Sequence, residues 1–158
     1  MKVMIAFDSV YGNTKMVANE VAVVFKELGH EAELIDLKSW DRQTPTGDIL
    51  FIGSPTRMVR MTRPAKRFAK KLDQDLWDGK PVYAFDTIMV PVDQAQQAKA
   101  AKWTANGAAP KIKELLAERG LKVQDKMLRV PVTGLKGPLA DSWKGQIRAF
   151  VADVVGKN

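Results

Sequence analysis

Polar and small residues crowd into one short stretch, Ser9-Val10-Tyr11-Gly12-Asn13-Thr14, and the chemistry open to them is the binding of an anion. The apolar run Val3 to Phe7 precedes them and an amphipathic run begins near Asn13, so the stretch reads as strand, tight loop and helix start. A loop that turns directly into a helix aims several unpaired N–H groups at one point, and the helix dipole adds partial positive charge there. Ser9, Asn13 and Thr14 add side-chain donors, and Gly12 lets the backbone turn sharply and come close to a ligand. Spacing removes two other phosphate loops, since the chain has neither G-x-x-x-x-G-K-[ST] nor G-x-G-x-x-G. No lysine lies in the loop, so a terminal monophosphate held by neutral donors suits it better than a triphosphate or a dinucleotide. Ser, Gly, Asn and Thr also build ordinary turns, and the stretch alone leaves that reading open.

A second group follows the continuous apolar run Ile49 to Ile52, which reads as a central parallel strand covered on both faces. Gly53-Ser54-Pro55-Thr56 stands at its carboxyl end, where open α/β sheets bind ligands. Ser9-x-Tyr11-Gly12-Asn13-Thr14 resembles the S/T-x-T-G-N-T loop of the flavodoxin family, and Gly53 to Thr56 resembles the second flavin loop of the flavodoxin and flavin reductase superfamily. In element order the similarity covers nearly the whole chain. It implies a doubly wound five-stranded parallel sheet of order 2-1-3-4-5, bound FMN and electron transfer.

That resemblance assigns Ser9, Tyr11, Gly12, Asn13 and Thr14 to the FMN phosphate. It assigns the Ser54 to Arg60 loop, with Ser54, Pro55, Thr56, Arg57 and Met58, to one side of the flavin ring, and the Phe85 to Met89 loop, with Asp86, Thr87 and Met89, to the other. Neither ring loop carries the aromatic residues with which flavodoxins often sandwich the flavin; Met58, Met61 or Met89 would cover a face instead. Tyr11 stands where threonine is commoner. Arg57 and Arg60 would favour the reduced, anionic flavin if they lie near its pyrimidine edge. No catalytic acid or base is required for simple electron transfer.

The formal net charge is +7, and seven cations (Arg57, Arg60, Arg63, Lys66, Arg67, Lys70 and Lys71) fall between Arg57 and Lys71 without one acid. Flavodoxins are commonly acidic, so the redox partner implied for this basic chain has an acidic docking surface. Phe68 is the one aromatic residue among those cations, which leaves stacking on nucleic acid without its usual support. Two other functions stay open: an FMN-dependent NAD(P)H or quinone reductase, which the Pro55-Thr56-Arg57 loop also resembles, and a flavin-free binding module that uses the basic surface. The absence of cysteine rules out disulfides, thiolate metal sites and cysteine nucleophiles, and the single histidine, His30, sits in a helix-to-strand turn where an exposed structural role is expected. No apolar run approaches the ~20 residues of a membrane span, and the chain passes at once into a strand, so a cytoplasmic protein without membrane insertion is expected.

Helices and strands that position these loops follow from periodicity. At 158 residues the chain suits a single flavodoxin-like domain over residues 1–158. Val17, Val21, Val24, Phe25 and Leu28 place one apolar stripe on a helix from Asn13 to about Leu28. Glu31 to Leu37 reads as a half-exposed edge strand, and Trp40 to Gly47 as a surface connection. Pro64 opens a helix whose apolar face is Ala65, Phe68, Ala69 and Leu72, and Val82 to Phe85 is a short buried strand with Asp86 and Thr87 at its end. Val90-Pro91-Val92 is expected to be extended and Asp93 to cap a short helix through Lys102. Ile112, Leu115 and Leu116 mark a helix that Gly120 stops; Lys122 to Val132 reads as the last strand, Gly134 to Pro138 as a third loop, and a final helix from about Asp141 buries Trp143, Ile147, Phe150, Val151 and Val154.

Overall fold

Five parallel strands stand in the order β2-β1-β3-β4-β5. They are β1 (Lys2–Phe7), β2 (Glu31–Asp36), β3 (Ile49–Pro55), β4 (Val82–Met89) and β5 (Leu128–Val132). The computed structural model describes residues 1–89 and 105–158, so the extended Val90 to Val92 segment and the helix expected from Asp93 lie outside the described residues. The described helices are α1 (Asn13–Glu27), α2 (Arg63–Lys71), α3 (Ala108–Glu118) and α4 (Trp143–Lys157).

Alternation along the central strands divides the core into two. Val3, Ile5 and Phe7 of β1 and Phe51 of β3 pack with α1 and α4, whereas Met4, Ala6, Leu50 and Ile52 pack with α2 and α3. Strands covered on both faces cannot show a polar side, which is why Ile49 to Ile52 is apolar without interruption. At the edge the cover thins. Ala32 leans on one core cluster and Ile35 on the other, while Leu34 remains 39% exposed.

Helix stripes follow the expected spacing, with two differences. Val17, Val21, Val24 and Phe25 are buried, but Leu28 lies at the C-cap of α1 and is 49% exposed, because the chain leaves the helix there through Gly29 at φ 87°. Trp143 opens α4 only partly buried, packed against the core that holds Ile147, Phe150, Val151 and Val154. The carbonyls of Ala69 and Leu72 at the end of α2 are met by the Arg119 guanidinium at 2.6 Å each, so the close of α3 caps its neighbour. His30, expected to be exposed, is half-buried: its ring meets Phe25 edge-on at 6.2 Å, and its Nδ1 lies 3.1 Å from the N-terminal amine.

Strand ends differ more from expectation. β3 runs on through Gly53, Ser54 and Pro55, and β4 through Asp86, Thr87 and Met89, in register Ser54 with Asp86 and Pro55 with Thr87. The last strand is shorter than Lys122 to Val132. Val123 makes only an isolated bridge with Val82, and the ladder resumes at Leu128 opposite Phe85, so five residue steps on this strand face three on β4 and the extra residues bulge out around the exposed Asp125 and Lys126.

Candidate functional site

Two of the turns singled out in the sequence meet at the carboxyl end of the sheet, where β1 and β3 lie side by side although a crossover separates them in the chain. This is the switch point of the doubly wound sheet. Gly12 is the N-cap of α1, with φ 96° and ψ −10°, a left-handed conformation that glycine adopts without strain. Ser9 is buried, and its hydroxyl accepts the amides of Gly12 at 3.1 Å and Lys15 at 3.2 Å. Folding the loop around this oxygen leaves the amides of Val10, Tyr11, Asn13 and Thr14 with no acceptor among the described residues. They are the fit for a phosphate: neutral donors gathered at a helix N-terminus, with open space at the Gly12 Cα.

Thr14 and Thr87 tie this loop to β4. Their hydroxyls are 2.8 Å apart and buried. One donates to the other, and the accepting hydroxyl keeps its own hydrogen. Asn13 lies against the third loop, Gly134 to Pro138: a Cβ on Gly137, at φ 96°, would stand 2.7 Å from the Asn13 amide atoms. Tyr11 is 43% exposed, with the Arg57 guanidinium 5.9 Å and the Lys136 ammonium 5.8 Å from its ring centroid. Three loops are thus joined by cation–π contacts at one exposed aromatic ring.

Beyond Thr56 the second loop doubles back. The Arg57 amide donates to the Arg60 carbonyl and the Arg60 amide to the Arg57 carbonyl, both at 2.9 Å, which closes a two-residue hairpin turn on Met58 and Val59. Both have positive φ, 48° and 66°, where turns of this kind ordinarily use Asn-Gly. Met58 projects from the tip 92% exposed, and Met89 is 52% exposed at the end of β4.

Other residues singled out in the sequence are engaged inside the protein. The Ser54 hydroxyl donates to the Pro55 carbonyl at 2.8 Å and accepts the Thr62 amide at 2.9 Å, so it fastens the start of α2. Asp86 is fully buried. Arg129 grips it through Nε at 3.0 Å and Nη2 at 2.9 Å, the Thr56 hydroxyl donates to it at 2.7 Å, and the Ala109 amide donates at 3.1 Å. The Ala108 amide donates to Thr56 Oγ1 at 2.9 Å, so Thr56 and Asp86 together cap α3. Pro55 pairs with Thr87 in the ladder and is half-buried.

Arg129, Lys136 and Lys38 were not singled out for the site in the sequence. Lys136 carried a signal, since it lies in the third loop. Arg129 carried none, because an isolated cation within a strand takes its meaning only from Asp86 on the neighbouring strand. Lys38 lies in the 3₁₀ turn Leu37–Ser39 and donates to the Ser9 carbonyl from outside the loop. A cleft of about 600 Å³ lies elsewhere, between β2 and residues 39–46, where a loop crosses from β2 to β3.

A family model described as a flavodoxin domain matches residues 4–130. A curated protein named flavodoxin from Aquifex aeolicus (strain VF5) is 37% identical over 93 residues, a match that spans 54% of this chain and 49% of that protein. Among solved structures, a flavodoxin from the domain Archaea aligns over 99% of this chain and 98% of its own at 21% identity and a TM-score of 0.75. Oxidised flavodoxin 1 from Bacillus cereus aligns over 100% and 99% at 24% identity and a TM-score of 0.69. At these identities the two structures speak for the fold alone.

Proposed function

This chain belongs to the flavodoxin domain family, and on that premise we propose that it binds FMN at the turn into α1 and passes electrons between redox partners. The observation that carries the proposal is the set of unpaired amides at Val10, Tyr11, Asn13 and Thr14 around a left-handed Gly12. FMN supplies the redox chemistry when bound; the chain's own residues hold the phosphate, cover the ring and set its surroundings. Tyr11, Asn13 and Thr14 face the phosphate in this reading, Met58 and Met89 are the exposed apolar side chains available to the ring, and Arg57 stands at the edge. Ser54, Thr56 and Asp86 act from behind, by fixing the strand ends from which the ring loops spring.

The partner in this reading is an acidic protein. None of the seven cations from Arg57 to Lys71 forms an ion pair among the described residues, and Arg63, Lys66, Arg67, Lys70 and Lys71 are exposed along α2. That surface adjoins the Met58 turn in sequence and accelerates encounter with a negative partner. The cytoplasmic location and the single-domain organisation expected from the sequence belong with this proposal; cell fractionation tests the first.

Titration of the purified chain is the direct test. FMN is expected to bind with a shift of the flavin visible spectrum, and FAD much more weakly. Equal binding of FAD, or no binding of either, rejects the proposal. Oxidation of NAD(P)H by the FMN-loaded chain alone identifies a reductase instead of a carrier. Arg57→Gln should then make the potential of the bound flavin more negative by up to about 30 mV, the equivalent of ~1.4 kcal/mol for a two-electron change. An unchanged potential assigns Arg57 to the docking surface.

A further inference from the structure

Asp8 is a buried carboxylate immediately ahead of the phosphate loop, its side chain 3% exposed. Its Oδ1 is the one buried side-chain oxygen or nitrogen without a hydrogen-bond partner among the described residues. A carboxylate beside a loop built for an anion is unfavourable twice: it has left water without full compensation, and it repels whatever negative group the loop receives. Lys38 answers both. Its ammonium forms an ion pair with Asp8 Oδ1 at 3.4 Å, and it donates its hydrogen bond to the Ser9 carbonyl.

Strand register puts the pair together. Phe7 of β1 lies opposite Asp36 of β2, so the residues just beyond the two strands come side by side. The Asp36 side chain then accepts the Lys38 amide at 3.0 Å and holds the turn from which Lys38 reaches back. From there the linkage continues into the loop, since the hydroxyl of the same Ser9 orients the Gly12 and Lys15 amides.

We propose that Lys38 is a positioning residue whose ammonium cancels the Asp8 charge and so sets the loop's preference for a phosphorylated flavin over an unphosphorylated one. This rests on FMN binding at the loop. Removing the ammonium leaves a bare carboxylate beside the phosphate. Removing the carboxylate leaves an uncompensated cation, and removing both restores neutrality.

The test is a set of fluorescence titrations of the flavin-free chain with FMN and with riboflavin, which lacks the phosphate, at low ionic strength. Lys38→Met is expected to weaken FMN about tenfold, a loss of ~1.4 kcal/mol, and riboflavin by less than about twofold. Lys38→Arg should keep the FMN preference, Asp8→Asn alone should strengthen it, and the double variant Asp8→Asn/Lys38→Met should return FMN to within about threefold of the parent. Equal losses for both flavins in Lys38→Met, or a double variant as weak as Lys38→Met, overturn the proposal. Asp8→Asn gives an independent answer if Lys38→Met does not fold, because an unchanged FMN-to-riboflavin ratio in it also overturns the proposal. A parent chain that binds FMN, with that ratio constant across the series, leaves the FMN reading standing and removes the role of Lys38; a parent chain that binds no FMN removes both.

Discussion

Gly53 faces the Phe85 ring so closely that an added Cβ would stand 2.1 Å from Cζ. Gly53→Ala should therefore destabilise the fold by roughly 1 to 3 kcal/mol through overpacking, read as a lower urea midpoint. Val59 behaves in the opposite way. A β-branched residue held at φ 66° stores roughly 1 to 3 kcal/mol, and glycine there adds an entropic loss of about 0.5 to 1. Val59→Gly is expected to raise stability by about 1 kcal/mol in the same measurement. At this scale the Gly12 loop was legible because its residues are contiguous and each type has a short-range reason to be there. The Met58-Val59 turn was not, since neither residue type signals a hairpin and the conformation is imposed by closure between Arg57 and Arg60.

Strands and helices announced themselves by periodicity, but β3 and β4 outran their apolar runs. Ser54, Asp86 and Thr87 look like loop residues to any pattern of apolar side chains. They remain in the ladder because each has a partner supplied from a distance: Thr62 for Ser54, Arg129 for Asp86 and Thr14 for Thr87. Polar residues satisfied by tertiary contacts cost a strand little, whereas the same residues without partners would end it. Arg129→Met removes such a partner from a carboxylate with no exposure and should cost about 3 to 5 kcal/mol in urea unfolding. Adding Asp86→Asn should recover part of that loss, because the uncompensated charge goes with it. A loss no larger than that of an exposed pair, roughly 0 to 1 kcal/mol, would mean that water reaches Asp86 when the arginine is gone.

Across the whole molecule, the five-strand order leaves two rims, and they are finished differently. Beyond β5 the chain returns on itself: Leu139 bridges Val132 in antiparallel fashion, and the Ala140 amide donates to the Pro131 carbonyl at 2.9 Å. The rim at β2 has no such cover among the described residues, but it carries exposed Glu31, Glu33 and Asp36, with Lys2 pairing Glu33 at 3.7 Å. Two copies meeting there would bring like-charged carboxylates together while their strands sought to pair. Acidity at one rim of a basic protein is thus a safeguard against self-assembly. Replacing Glu31 and Glu33 by threonine should leave flavin binding intact and turn the chain into one whose light scattering rises with concentration, growing by strand addition where the parent stays monodisperse.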